Sequence, residues 1–149
     1  MQKSNTKNFK ETQELGESLA KEILVGGIKK IARVLALRGN LGDGKTTFLQ
    51  GFARGLGIAE VVNSPTFLIM KKFKIPNSNF SFFYHLDLYR LENEQDLEFI
   101  NFQEIFADPK NIIAIEWPER VEKLLPKEVI KIIFNYVQEN TREIKIDKF

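Results

Sequence analysis

A chain of 149 residues, 43% hydrophobic and 28% charged, has the composition of one globular domain. It contains no cysteine, which rules out disulfides, thiolate nucleophiles and a cysteine-held structural zinc, and suits a reducing cytoplasm. The net charge of +2 comes from 22 basic and 20 acidic residues spread along the chain, not gathered into the stripe of a dedicated nucleic-acid binder.

No apolar run reaches the ~18–20 residues that a membrane span needs, so no membrane association is expected. Residues 1–10 are polar, lack the apolar segment of a secretory signal and are expected to be flexible, within one domain covering 1–149. Over residues 11–25, Leu15, Leu19 and Ile23 recur every fourth position, predicting an amphipathic helix that Gly26 and Gly27 end. Residues 33–38 hold Val34-Leu35-Ala36-Leu37, the continuous apolar run of a strand buried on both faces. After a glycine-rich turn, residues 46–56 predict a helix with Phe48, Leu49, Phe52 and Leu56 on one face and Gly57 as its C-terminal cap.

Residues 61–74 alternate loosely around Ser64-Pro65-Thr66. Lys71, Lys72 and Lys74 read as a solvated strand edge or loop, or as a contact with RNA or a partner. Residues 75–81 form a loop, residues 82–88 a second core strand, and residues 92–106 a helix broken by Asp108-Pro109. A third core strand covers 111–117, followed by a short helix over 118–125 with proline in its first turn. Residues 129–137 and 143–148 read as a closing hairpin. Early alternation of strands and helices, then strands meeting directly, predicts an α/β three-layer sandwich of the P-loop NTPase type. Its sheet is mostly parallel, with antiparallel edge strands.

Gly39-Asn40-Leu41-Gly42-Asp43-Gly44-Lys45-Thr46 fits G-x-x-x-x-G-K-[ST] without a mismatch. The glycines allow a tight turn whose N–H groups face phosphate oxygens, and the following helix aims its N-terminal dipole at the same anion. Lys45 reaches the β- and γ-phosphates, and the Thr46 hydroxyl is a ligand for Mg²⁺. Two acids could complete the metal site: Asp87 after Phe83-Tyr84-His85-Leu86, and Glu116 after Ile112-Ile113-Ala114-Ile115. A carboxylate directly after buried residues sits at the sheet's carboxyl edge, where α/β folds bind ligands. Both are expected at the site, and which one touches the metal is left open. His85, the only histidine, reads as a core residue, and Trp117 equally as a packing anchor or a site residue. With no N-K-x-D element to recognise guanine, ATP is the expected nucleotide.

These residues together resemble the TsaE (YjeE) family, small P-loop ATPases of bacterial tRNA threonylcarbamoyladenosine biosynthesis. The resemblance runs through residues 39–48, Asn63-Ser64-Pro65-Thr66-Phe67, Tyr84-His85-Leu86-Asp87-Leu88-Tyr89-Arg90-Leu91 and Glu116-Trp117-Pro118, in order over nearly the whole chain. It implies that Asn40 through Thr47 hold the nucleotide, with Lys45 and Thr46 on phosphate and metal. Ser64 to Thr66 form a switch with Thr66 at the reacting phosphate, Asp87 is the Walker-B-type acid, and Glu116 is a second acid. It places Arg142 near the nucleotide and Thr12 beside the adenine. Asp43 departs from the alanine usual in the family. Its side chain is expected to point to solvent and to weaken nucleotide affinity somewhat. The resemblance further implies a weak ATPase, not itself the transferase, that resets a TsaD–TsaB pair between turnovers and meets tRNA only through that pair. A metabolite kinase and a regulator using ATP only as a ligand are the rival readings.

Overall fold

The computed structural model describes residues 1–40, 42–60, 62, 70–91, 94–97 and 100–148, with only the backbone described at 94 and 96. In chain order the elements are β1 (Gln2–Thr6), α1 (Phe9–Gly26), β2 (Arg33–Arg38), α2 (Lys45–Gly55), β3 (Met70–Lys74) and β4 (Phe82–Asp87). A 3₁₀ turn (Glu94–Leu97), α3 (Phe102–Ala107), β5 (Asn111–Glu116), a second 3₁₀ segment (Pro118–Leu124), β6 (Ile130–Gln138) and β7 (Thr141–Asp147) follow. The seven strands make one sheet in the order β1-β7-β6-β2-β5-β4-β3. Its centre, β6-β2-β5-β4, is parallel, and β3, β7 and β1 join antiparallel at the two sides. Strands 33–38, 82–88 and 111–117 and the closing hairpin thus stand where the apolar runs predict them.

Period-two alternation splits the central strands between two cores. Leu35, Leu37, Phe83, Ile112, Ala114, Ile132 and Phe134 pack under α1 and α2. Val34, Ala36, Leu86, Ile113 and Ile115 pack under α3 and the 3₁₀ segments, through Phe102, Phe106, Leu97 and Val121. This is the three-layer arrangement, and it explains why β2 and β5 read as unbroken apolar runs. Among the described residues no helix is long and apolar enough to cross a membrane.

Three expectations change. Residues 2–6, expected to be flexible, form β1 and pair with β7 from Gln2↔Ile146 to Thr6↔Arg142. The helix expected over 92–106 is instead, in its described parts, a 3₁₀ turn and the six-residue α3. Asn101 sets the start of α3, its Oδ1 accepting the Glu104 N–H at 3.2 Å and its Nδ2 donating to the Glu104 carboxylate at 2.9 Å. The helix expected over 118–125 is a 3₁₀ segment interrupted at Val121, whose φ of −133° is not helical. The lysines 71, 72 and 74 lie exposed on β3, the sheet's outer strand, where charge discourages edge-to-edge pairing.

Helix α1 begins at a side-chain cap. Asn8 Oδ1 accepts the Glu11 N–H at 2.9 Å, and the Glu11 carboxylate accepts the Lys7 N–H at 3.0 Å. It then packs on α2 almost backbone to backbone. A Cβ at Gly51 would stand 1.9 Å from the Gln13 carbonyl oxygen, and one at Gly16 would stand 2.1 Å from that of Phe48. These distances admit no side chain, so the two glycines set the spacing of α1 against the helix that follows the phosphate loop. Gly51→Ala should therefore lower unfolding free energy by about 3 kcal/mol or more in denaturant titration. No loss, or the gain of about 1 kcal/mol that alanine's higher helix propensity alone would give, would show that the helices can separate freely.

Candidate functional site

β2 lies between β5 and β6, parallel to both, and β5 continues to β4. The registers Leu37↔Glu116 and Asp87↔Glu116 end the three strands at one level of the sheet. The loop leaving Arg38 and the two acids therefore share the carboxyl edge, and a cleft of about 380 Å³ opens there. Asn40, Gly42, Gly44, Lys45, Thr46 and Thr47 line its floor, Asp87, Glu116 and Trp117 one wall, and Thr12 and Arg142 the other. Leu41 and the segment containing Ser64 to Thr66 lie outside the described residues.

Gly39, Gly42 and Gly44 have φ of 152°, 81° and 101°, backbone that side chains disfavour, and Gly44 in this conformation starts α2. Unlike α1 and α3, α2 has no side-chain cap at its N-terminus. Its first N–H groups and its dipole thus face the cleft, an arrangement that favours an anion. The Asp43 side chain does not point to solvent. It is 7% exposed, and its carboxylate accepts the Asn40 N–H at 2.7 Å, because the tight 40–43 turn brings that donor within reach. Asp43 thus braces the loop from behind the cleft.

Lys45 is buried and turns back on its own loop, donating to the carbonyl oxygens of Gly39 and, at 3.3 Å, Asn40. Its ammonium also stands 4.6 Å from the centre of the Trp117 ring. Burial pushes its pKa down, while the carboxylates of Glu116, Asp43 and Asp87 pull the other way without cancelling the effect. Trp117 both lines the cleft and packs against the core behind it, and its φ of 61° is a conformation unusual for a bulky side chain. Asp87 Oδ1 accepts the Tyr89 N–H at 3.1 Å, and the Tyr89 ring packs 5.1 Å from that of Trp117. Glu116 is 3% exposed and bonded to His85 at 2.6 Å.

On the opposite wall Arg142 Nη2 donates to the Gly42 carbonyl at 3.0 Å, tying β7 to the loop. Thr12 is buried, its hydroxyl 2.7 Å from that of Thr6. Sequence reasoning missed Phe9 and Asn140, which line the same wall. Phe9 is 65% exposed, an aromatic at helical spacing from the buried Thr12 and Gly16, and its place in phase with that face, just ahead of the predicted helix, was the available signal. Asn140 has φ of 63° at the β6–β7 turn and carried no signal beyond turn preference.

The hydroxyl of Thr46 and the carboxylates of Asp87 and Glu116 are hard oxygen donors of the kind Mg²⁺ takes. Among the described residues no group of three or more histidines, cysteines, aspartates and glutamates could hold a metal by itself. The cleft thus brings together the N–H groups of a helix start, an ammonium, a hydroxyl and two carboxylates.

Comparison with known proteins agrees in family and fold. The model of the family described as "Threonylcarbamoyl adenosine biosynthesis protein TsaE" matches residues 6–144. A Bacillus subtilis protein named tRNA threonylcarbamoyladenosine biosynthesis protein TsaE is 38% identical over 142 residues, 95% of this chain and 82% of the relative. A Haemophilus influenzae protein of the same name is 34% identical over 84% of this chain and 76% of its own. The crystal structure of Bacillus subtilis YdiB superposes with a TM-score of 0.77 at 31% identity, covering 99% of this chain and 84% of that one. With the family model spanning nearly all of its length, the chain belongs to the TsaE family.

Proposed function

We propose that the chain is a weak Mg²⁺-dependent ATPase that acts on a TsaD–TsaB complex in the cytoplasm and permits that complex to turn over. Membership of the TsaE family ties it to the biosynthesis of threonylcarbamoyladenosine in tRNA. The observation that carries the finer reading is the meeting, in one cleft, of an uncapped helix N-terminus with Lys45, Thr46, Asp87 and Glu116. On this reading Lys45 exchanges the carbonyls of Gly39 and Asn40 for phosphate oxygens, and the first N–H groups of α2 hold the same anion. Thr46 and the two acids hold Mg²⁺, which neutralises charge on the phosphate chain. Thr12, Phe9 and Arg142 flank the end of the cleft away from the acids and receive the adenosine. The threonylcarbamoyl transfer belongs to the partner complex, and tRNA is met only through it.

Three outcomes follow. Lys45→Ala should weaken ATP binding about 10- to 100-fold in calorimetric titration, the scale of a lost charge-assisted hydrogen bond. Unchanged affinity would remove Lys45 from the phosphate site. Glu116→Gln should slow hydrolysis on the order of 10²-fold or more and raise the Mg²⁺ requirement, while ATP binding in EDTA stays near wild type, since the carboxylate is assigned to the metal. An equal loss of ATP binding in EDTA would instead make Glu116 a scaffold residue. In reconstitution with purified TsaD and TsaB, ATP hydrolysis should rise on adding the partners, and tRNA modification should pass from single to multiple turnovers. A hydrolysis rate indifferent to the partners would sink the proposed function.

A further inference from the structure

Glu116 is a nearly inaccessible carboxylate closing a strand on which every residue is buried. A carboxylate so desolvated is costly unless donors reach its oxygens. Among the described residues one side chain hydrogen-bonds to it. His85, wholly buried on β4, has Nε2 2.6 Å from Glu116 Oε2.

The sheet register explains how the two meet. His85 stands directly opposite Ala114 on β5, and Glu116 is the diagonal neighbour two residues further on. Alternation puts Phe83, His85 and Asp87 on one face of β4, the face shared with Ala114 and Glu116 on β5. Ala114 is the one small side chain in the run Ile112-Ile113-Ala114-Ile115, and it leaves room for the imidazole to lie along the strand towards Glu116.

Among the described residues, the other ring nitrogen, Nδ1, is buried without a hydrogen-bond partner. A ring with one partnered nitrogen adopts the tautomer that serves that partner, so the proton is assigned to Nε2 and donated to Oε2. One carboxylate oxygen is thereby gripped from the core. The other is left to the cleft that Glu116 lines.

We propose that His85 is a positioning residue that fixes the rotamer of Glu116 and presents its second oxygen to the divalent cation. This rests on the reading of Glu116 as part of a magnesium site. Histidines that orient a ligating carboxylate from behind have a measurable signature, because losing such a partner costs the metal and not the remainder of the ligand.

The test is equilibrium binding of ATP across a Mg²⁺ titration and in EDTA, for the wild type, His85→Gln, His85→Asn and His85→Leu. Glutamine carries an amide N–H that reaches as far as Nε2, asparagine carries the same amide one methylene short, and leucine carries no donor. His85→Gln should keep the Mg²⁺ midpoint within about threefold of wild type, while His85→Asn and His85→Leu should raise it about 10- to 100-fold. Affinity in EDTA should stay within about twofold for all three.

Wild-type midpoints in His85→Asn and His85→Leu, or equal losses with and without Mg²⁺, would overturn the proposal and leave His85 a packing residue. Circular dichroism checks that each variant folds. If leucine does not fold, the glutamine and asparagine pair decides, and failure of all three assigns His85 to the scaffold and overturns the proposal. A wild-type chain that binds ATP equally with and without Mg²⁺ overturns the metal reading itself, which is distinguishable from a failure at His85 alone.

Discussion

Parallel pairing of β2 with β5 and of β5 with β4 determines what the cleft contains. Backbone hydrogen bonds fix which residues stand side by side, and here they stand Leu37 and Asp87 on either side of Glu116. A slip of one residue in either pairing would turn the acids to the opposite face and bury apolar side chains in the cleft. Apolar packing on both faces prevents such a slip, since Leu35, Leu37, Ile112 and Ala114 are committed to one core and Val34, Ala36, Ile113 and Ile115 to the other. The geometry of the site is therefore held by residues that never touch it.

A second constraint comes from outside the sheet. The close approach of α1 and α2 at Gly16 and Gly51 places Thr12 and Phe9 across the cleft from the acids. The hairpin of β6 and β7 brings Arg142 to the same wall, with Phe134 of β6 packed edge-on against Phe48 of α2 at 5.5 Å. Three parts of the chain distant in sequence thus converge on one loop.

The floor and acid wall of that cleft were legible in the sequence because each rests on local chemistry. Glycine-lysine-threonine spacing announces a strand-to-helix turn, and an acid after four buried residues announces a strand end. The rest depends on partners remote in the chain. β1, Gln2–Thr6, has no apolar alternation and is a strand only because β7 supplies its ladder. Asp43 was assigned to solvent on charge alone, yet the loop's own Asn40 N–H, brought close by the turn, holds it inside. Residues 92–106 carry helical periodicity, but Asn101 finds a capping partner in Glu104 and starts the helix late. His85 reads as a core residue on its strand, and only the register reveals the carboxylate beside it.

Among the described residues the charges that line the cleft nearly cancel: Lys45 and Arg142 against Asp87 and Glu116, with the Asp43 carboxylate close behind the floor. A bare polyanion entering these walls would meet as much repulsion as attraction at range, and only the directed N–H groups of α2 would favour it unreservedly. A phosphate chain already carrying its divalent counter-ion presents a different face, with positive charge turned towards the two carboxylates and oxygens towards Lys45. On the proposed reading, the N-terminus of α2 favours a phosphate chain, and the balance of charge around it favours one that already carries its cation.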